Sequence, residues 1–213
     1  MTIELWHVGA AMALPLAGLL VAELRGDRRW LLVCKPVASA LFVAAGALFL
    51  PRAQGASMLL FAGLLLSFVG DALLIPKGRR LSFLAGLACF LCAHGAYCIA
   101  FVLKGTDTRA VTVGAAALVL AGVPLARWLF PHVDGPMRVP VVAYVVTITA
   151  MVTLACGAWQ GGARITLVIG AVLFYASDVC VARERFVQRA LVNGIVGLPL
   201  YYAAQLLLVD GLR

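Results

Sequence analysis

The sequence predicts an all-α protein: a polytopic transmembrane bundle of about eight helices. Three observations carry this expectation. Of 213 residues, 64% are hydrophobic and 12% are charged, roughly half the charged share of a soluble domain. A globule of this length cannot hide so much apolar surface, whereas hydrocarbon solvent asks only that the backbone satisfy its own hydrogen bonds. The apolar runs are also continuous and rich in Ala, Leu and Val, without the polar–apolar alternation of a membrane barrel.

About 20 residues cross a bilayer as a helix, and eight such spans fit: about 3–24, 30–50, 56–76, 82–104, 109–130, 138–159, 162–182 and 187–209. The first run carries Glu4 where a signal peptide would carry basic residues, and it lacks a clear small-residue cleavage site. It is read as a span. Arg25-Gly26-Asp27-Arg28-Arg29 separates it from the second, and Pro51–Gly55 follows the second. Pro76-Lys77-Gly78-Arg79-Arg80 ends the third, and Gly105–Thr108 ends the fourth. Pro131–Pro136, Gly161-Gly162 and Arg183-Glu184-Arg185 close the remaining gaps. None of these breaks holds a soluble domain, so residues 1–213 are expected to form a single transmembrane domain.

The net charge is +8, but the basic residues sit in short loops between apolar runs, so nucleic acid is not the implied partner. The partner is the lipid bilayer. Eleven Arg and Lys residues fall in the first, third, fifth and seventh loops, against five in the even loops and termini. By the positive-inside rule the odd loops face the cytoplasm and both termini lie on the far side. The Arg-, Ala- and Val-rich usage suggests a bacterium with a GC-rich genome, hence an integral multi-pass protein of the inner membrane. Oligomeric state has no signature here.

Six cysteines lie in or beside apolar runs, with Cys89 and Cys92 forming a CxxC. No second ligand pair accompanies them, so they read as small apolar residues rather than a zinc or redox site. An internal repeat is visible. Gly63 precedes Asp71 by eight residues, as Gly170 precedes Asp178, and Pro36 and Pro140 lie 35 and 38 residues ahead of the same two acids. Two parallel four-helix repeats would place the acids across a pseudo-twofold axis.

Ionisable residues within spans are costly and mark function by default. Asp71 and Asp178 each fall roughly 6–9 Å inside the odd-loop boundary at the helical rise of 1.5 Å per residue. Lys35 and Asn193 reach the same layer, and His94 lies deeper, with Tyr97 one turn on. Glu23, Tyr201, Tyr202 and Gln205 complete the polar set. Taken together they describe a pocket open on one side. Lys35 and Glu23 also suit the interface, where a long stem can carry its charge to the headgroups. Two carboxyls in a half-dry pocket divide acid and base roles between them, which equips the site for acid-catalysed hydrolysis. There is no GxSxG elbow and no HExxH or other metal-ligand cluster, so an acyl-serine or zinc-water route has no support and no metal or cofactor is expected.

Several of these elements occur in a familiar order. Phe68-Val-Gly-Asp71, then Phe83 through His94 and Tyr97, resemble the lysoplasmalogenase (YhhN-like) family of eight-helix membrane hydrolases. So do Lys35-Pro36, Ser177-Asp178, Phe186 and Tyr201-Tyr-Ala-Ala-Gln205. The resemblance runs from the second helix to the eighth. It implies hydrolysis of the sn-1 vinyl-ether bond of a lysophospholipid, lysoplasmalogen, to a fatty aldehyde and a glycerophospho-headgroup. On that basis one of Asp71 and Asp178 would donate the proton while the other stabilises the cation or activates water. His94 and Tyr97 would hydrogen-bond a carboxyl or the water, Lys35 would neutralise the phosphate, and Asn193, Tyr201 and Gln205 would bind glycerol or headgroup. Two other classes share the embedded acids: a small proton-coupled transporter, which calls for polar residues in both membrane halves, and a non-catalytic lipid-binding membrane protein.

Overall fold

A computed structural model describes residues 5–50, 55–76 and 79–212. All regular structure among them is helical: α1 (Leu5–Arg25), α2 (Arg28–Ala47), α3 (Ala56–Leu74), α4 (Arg80–Leu103), α5 (Thr108–Leu129), α6 (Gly135–Gln160), α7 (Ile165–Ala182) and α8 (Leu191–Asp210). All eight are long and apolar enough to cross a membrane. The expected breaks at 51–54 and Lys77-Gly78, the charges of Arg52, Lys77 and Arg213, and residues 3–4 of the first span lie outside the described residues.

The boundaries differ from expectation where local chemistry decides them. α6 starts at Gly135 rather than 138, with Pro136 in its first turn, where proline's missing N–H costs nothing. α7 waits until Ile165 because Gly162 turns the chain at φ 101°, a left-handed conformation suited to glycine. α8 starts at Leu191 rather than 187. A π-helical turn, Arg183–Val187, carries α7 onward, and Gln188 and Ala190 are extended.

The tightest pairs are α3 with α4 and α7 with α8, joined by α2 on α3 and α6 on α7. Gly63 and Gly170 explain the closeness. A Cβ on Gly63 would strike the Tyr97 ring of α4, and one on Gly170 would lie 3.2 Å from the Ala204 carbonyl oxygen of α8. The outward faces are apolar, with Leu14, Leu81, Leu120 and Val139 each 76–81% exposed, as suits lipid contact. At the even-loop end, Asp210 accepts from Arg164 Nη1 (3.1 Å) and Thr166 Oγ1 (2.9 Å), fastening the start of α7 to the end of α8.

Candidate active site

Asp71 lies one turn from the odd-loop end of α3 and is almost wholly buried. Lys35 Nζ of α2 is 3.2 Å from its Oδ1. Ser39 Oγ, one turn further along α2, donates to Oδ2 at 2.6 Å, and the Tyr201 hydroxyl of α8 donates to the same oxygen at 2.6 Å. A cation and two hydroxyls thus converge on one carboxylate. Proline does not disrupt this part of α2, since Pro36 sits between the two partner residues and leaves the helix unbroken, as transmembrane helices tolerate.

Asp178 lies one turn from the end of α7. The Tyr144 hydroxyl of α6 donates to its Oδ2 at 2.8 Å, and His94 Nε2 of α4 is 3.7 Å from the same oxygen. The His94 ring is fully buried. It packs edge-on against Tyr144 at 5.2 Å and Phe174 at 4.6 Å between centroids. Phe174 in turn packs against Tyr201 at 5.3 Å, so an aromatic wall joins the two carboxyl environments.

The two environments are built alike. Asp71 of α3 is met from α2 and α8; Asp178 of α7 is met from α6 and α4. The same spacing of 107 residues separates Asp71 from Asp178, His94 from Tyr201 and Gly63 from Gly170. Histidine and tyrosine therefore occupy corresponding places beside corresponding acids.

Both acids line one cavity of about 810 Å³, within the usual range for a small-molecule site. Lys35, Tyr144, Asn193 and Tyr201 line it too. Its mouth carries Arg79, Arg185 and Arg189, with Glu23 and Glu184, all near odd loops. The Arg185 guanidinium sits 4.5 Å from the Phe83 ring centroid, a cation–π contact that holds it at the rim.

Not every anticipated residue reaches the cavity. His94, Tyr97 and Gln205 are fully buried behind its wall. The Tyr97 hydroxyl donates to Gln205 Oε1 at 3.2 Å, tying α4 to α8. Asn193 lines the cavity, yet its amide is engaged elsewhere: Oδ1 accepts from Arg183 Nη1 (2.7 Å), and Nδ2 donates to Glu184 Oε2 (2.8 Å) and the Gln188 carbonyl (2.9 Å). It staples the α7–α8 turn. Lys35 faces Asp71. Ser39 and Tyr144 were not among the anticipated residues. The one sequence signal for them is position, three residues after Pro36 and four after Pro140.

Fold and site together define a polytopic helical membrane protein with two embedded carboxyls in a one-sided cavity. The chain matches the YhhN family over residues 29–212 and belongs to it. It is 32% identical over 159 residues to a protein named lysoplasmalogenase from Mycobacterium bovis, covering 71% of this chain and 59% of that one. It is 34% identical over 154 residues to human lysoplasmalogenase TMEM86B, covering 72% and 63%. Against TMEM86B from Sus scrofa it is 32% identical over 184 residues, covering 84% and 72%. The chain thus spans about three-fifths of the length of the mycobacterial and human relatives. No solved structure is significantly similar.

Proposed function

We propose that this protein is a membrane lysoplasmalogenase: it hydrolyses the sn-1 vinyl ether of a lysoplasmalogen to a fatty aldehyde and a glycerophospho-headgroup. The observation that carries the reading is the convergence of Asp71 and Asp178 on one cavity, in a chain whose relatives bear that name. A vinyl ether needs a proton at its β-carbon, an anion near the resulting oxocarbenium ion, and a positioned water.

The two environments suggest the division of labour. Asp71, beside the Lys35 ammonium and two hydroxyls, is a fixed negative charge that stabilises the developing cation. Asp178, between a hydroxyl and an imidazole, exchanges the proton. In the first step the Asp178 proton passes to the β-carbon, and the C=C electron pair forms the new C–H bond. Water then adds to the oxocarbenium carbon and returns a proton to Asp178, with His94 as orienting partner. The hemiacetal finally loses its C–O bond to glycerol; its hydroxyl proton ends on the glycerol oxygen, and one water has been consumed. Arg79, Arg185 and Arg189 at the mouth, rather than Lys35, take the phosphate by charge-assisted hydrogen bonds. The excess of basic residues in the odd loops points the mouth toward the cytoplasm of a bacterial inner membrane.

The test is incubation of the purified protein with a lysoplasmalogen and with its saturated-ether analogue. Aldehyde is expected from the first alone. Loss of either aspartate as Asn should lower turnover by roughly 10²–10⁴, the span of a general acid–base contribution.

A further inference from the structure

The bundle breaks its own symmetry, and the break bears on how a lipid chain reaches the acids. α1 packs along both α2 and α8. Its Leu19 and Ala22 have no exposed surface, and Glu23 reaches α8, where a Cβ on Gly194 would lie 3.1 Å from Glu23 Cγ. In the repeat, α5 corresponds to α1 and α4 to α8. Yet α5 packs along α6 and has no comparable seam with α4. About 6% of its span is buried, against 22% or more in every other span.

The cavity continues beneath α5. Leu125 of α5, Val141 and Ile148 of α6, and Tyr175 and Val179 of α7 line this arm, and none carries a charge. Leu125, Tyr175 and Val179 are each part-exposed, as suits residues that line an open cleft. Gly122 lies beside the Tyr175 hydroxyl, 3.9 Å from where its own Cβ would be, so the Tyr175 side chain reaches from α7 to the face of α5 and forms a wall of the arm. At this depth the surroundings are hydrocarbon, and an uncharged arm that joins hydrocarbon to the acid site fits an alkyl chain.

We propose that the cleft between α5 and α7 is a lateral portal through which the hydrocarbon chain of a single-chain ether lipid enters from the bilayer, to lie along Leu125, Tyr175 and Val179. This deepens the hydrolase reading and rests on it. The opposite flank, sealed by α1 on α8, takes no chain.

Two measurements test the portal. The first compares long-chain and short-chain lysoplasmalogens in Leu125→Trp, with Leu120→Trp on the exposed face of α5 as control. The indole displaces methylenes from the arm, so the long-to-short ratio of kcat/KM should fall about tenfold in Leu125→Trp and stay at the wild-type value in Leu120→Trp. An unchanged ratio in Leu125→Trp, with wild-type protein active, would overturn the portal and leave the hydrolase standing. The second needs no turnover: a saturated 1-O-alkyl lysophospholipid with a diazirine in its chain is photolysed with the protein in bilayers and the adduct mapped. Adducts on α5 and α7 around Leu125, Tyr175 and Val179 support the portal even if no lysoplasmalogen is cleaved, the result that would sink the hydrolase reading. Adducts confined to α1 and α8, or spread evenly over lipid-facing helices, overturn it.

Discussion

The Tyr144 hydroxyl of α6 donates a 2.8 Å hydrogen bond to Asp178 of α7, and no other hydroxyl in the described residues bonds that carboxyl. Removing it as Tyr144→Phe keeps the ring contact with His94 and strips Asp178 of its donor. The bond strengthens as Asp178 gives up its proton, and a hydrogen bond to the resulting carboxylate contributes roughly 1.5–3 kcal/mol, so kcat should fall by about ten- to a hundredfold with little change in KM. Steady-state kinetics on lysoplasmalogen check this; an unaltered kcat would remove Tyr144 from the site.

The Lys35–Asp71 pair predicts non-additive stability. Asp71→Asn leaves a largely buried ammonium without its counter-charge, at a cost of about 3 kcal/mol. Adding Lys35→Met removes the orphaned charge and should restore about half of that loss, with turnover no higher than in Asp71→Asn. Thermal unfolding in detergent of the two single variants and the double variant closes the cycle. A loss in the double variant equal to the sum of the two single losses would show that the pair is not coupled.

The repeat glycines predict packing defects. In Gly63→Ala the new methyl meets the Tyr97 ring, and overpacking of this kind costs about 1–3 kcal/mol. Because the obstacle is the ring, Tyr97→Phe should not relieve it, whereas Tyr97→Leu should in part. Melting temperatures of the paired variants decide between them.

Asn193 should act on the shape of the mouth. Asn193→Ala removes one bond each from Arg183, Glu184 and the Gln188 carbonyl, loosening the turn that carries Arg185 and Arg189. KM should rise about tenfold through lost phosphate contacts while kcat holds within a few-fold. Kinetics with headgroup-bearing and headgroup-less vinyl ethers separate the two, since only the former should weaken.

Much of this architecture is legible in the sequence because hydrocarbon imposes a simple rule: uninterrupted apolar runs of fixed length. The same rule makes Asp71 and Asp178 conspicuous. The start of α8 is not legible, because a π-helical turn and an extended Gln188–Ala190 follow from side-chain bonds of Arg183, Glu184 and Asn193 rather than from hydropathy. Tyr144 and Ser39 are equally hidden. A lone hydroxyl in an apolar run carries no periodic signal, and only the packing of α6 on α7 and α2 on α3 brings each to its acid. Lys35 and Asn193 read as ligand-binding groups when considered singly, and it is their neighbours' geometry that commits them to Asp71 and to the α7–α8 turn.

Proton delivery to carbon from an acid within the cavity is best tested by isotope. Wild-type protein is given lysoplasmalogen in deuterium oxide, and the aldehyde is analysed at once by mass spectrometry. One solvent deuterium on the carbon next to the carbonyl is expected, and the Asp178→Asn variant should form aldehyde roughly 10²–10⁴ times more slowly. Aldehyde lacking that deuterium, or full turnover by Asp178→Asn, would contradict the account.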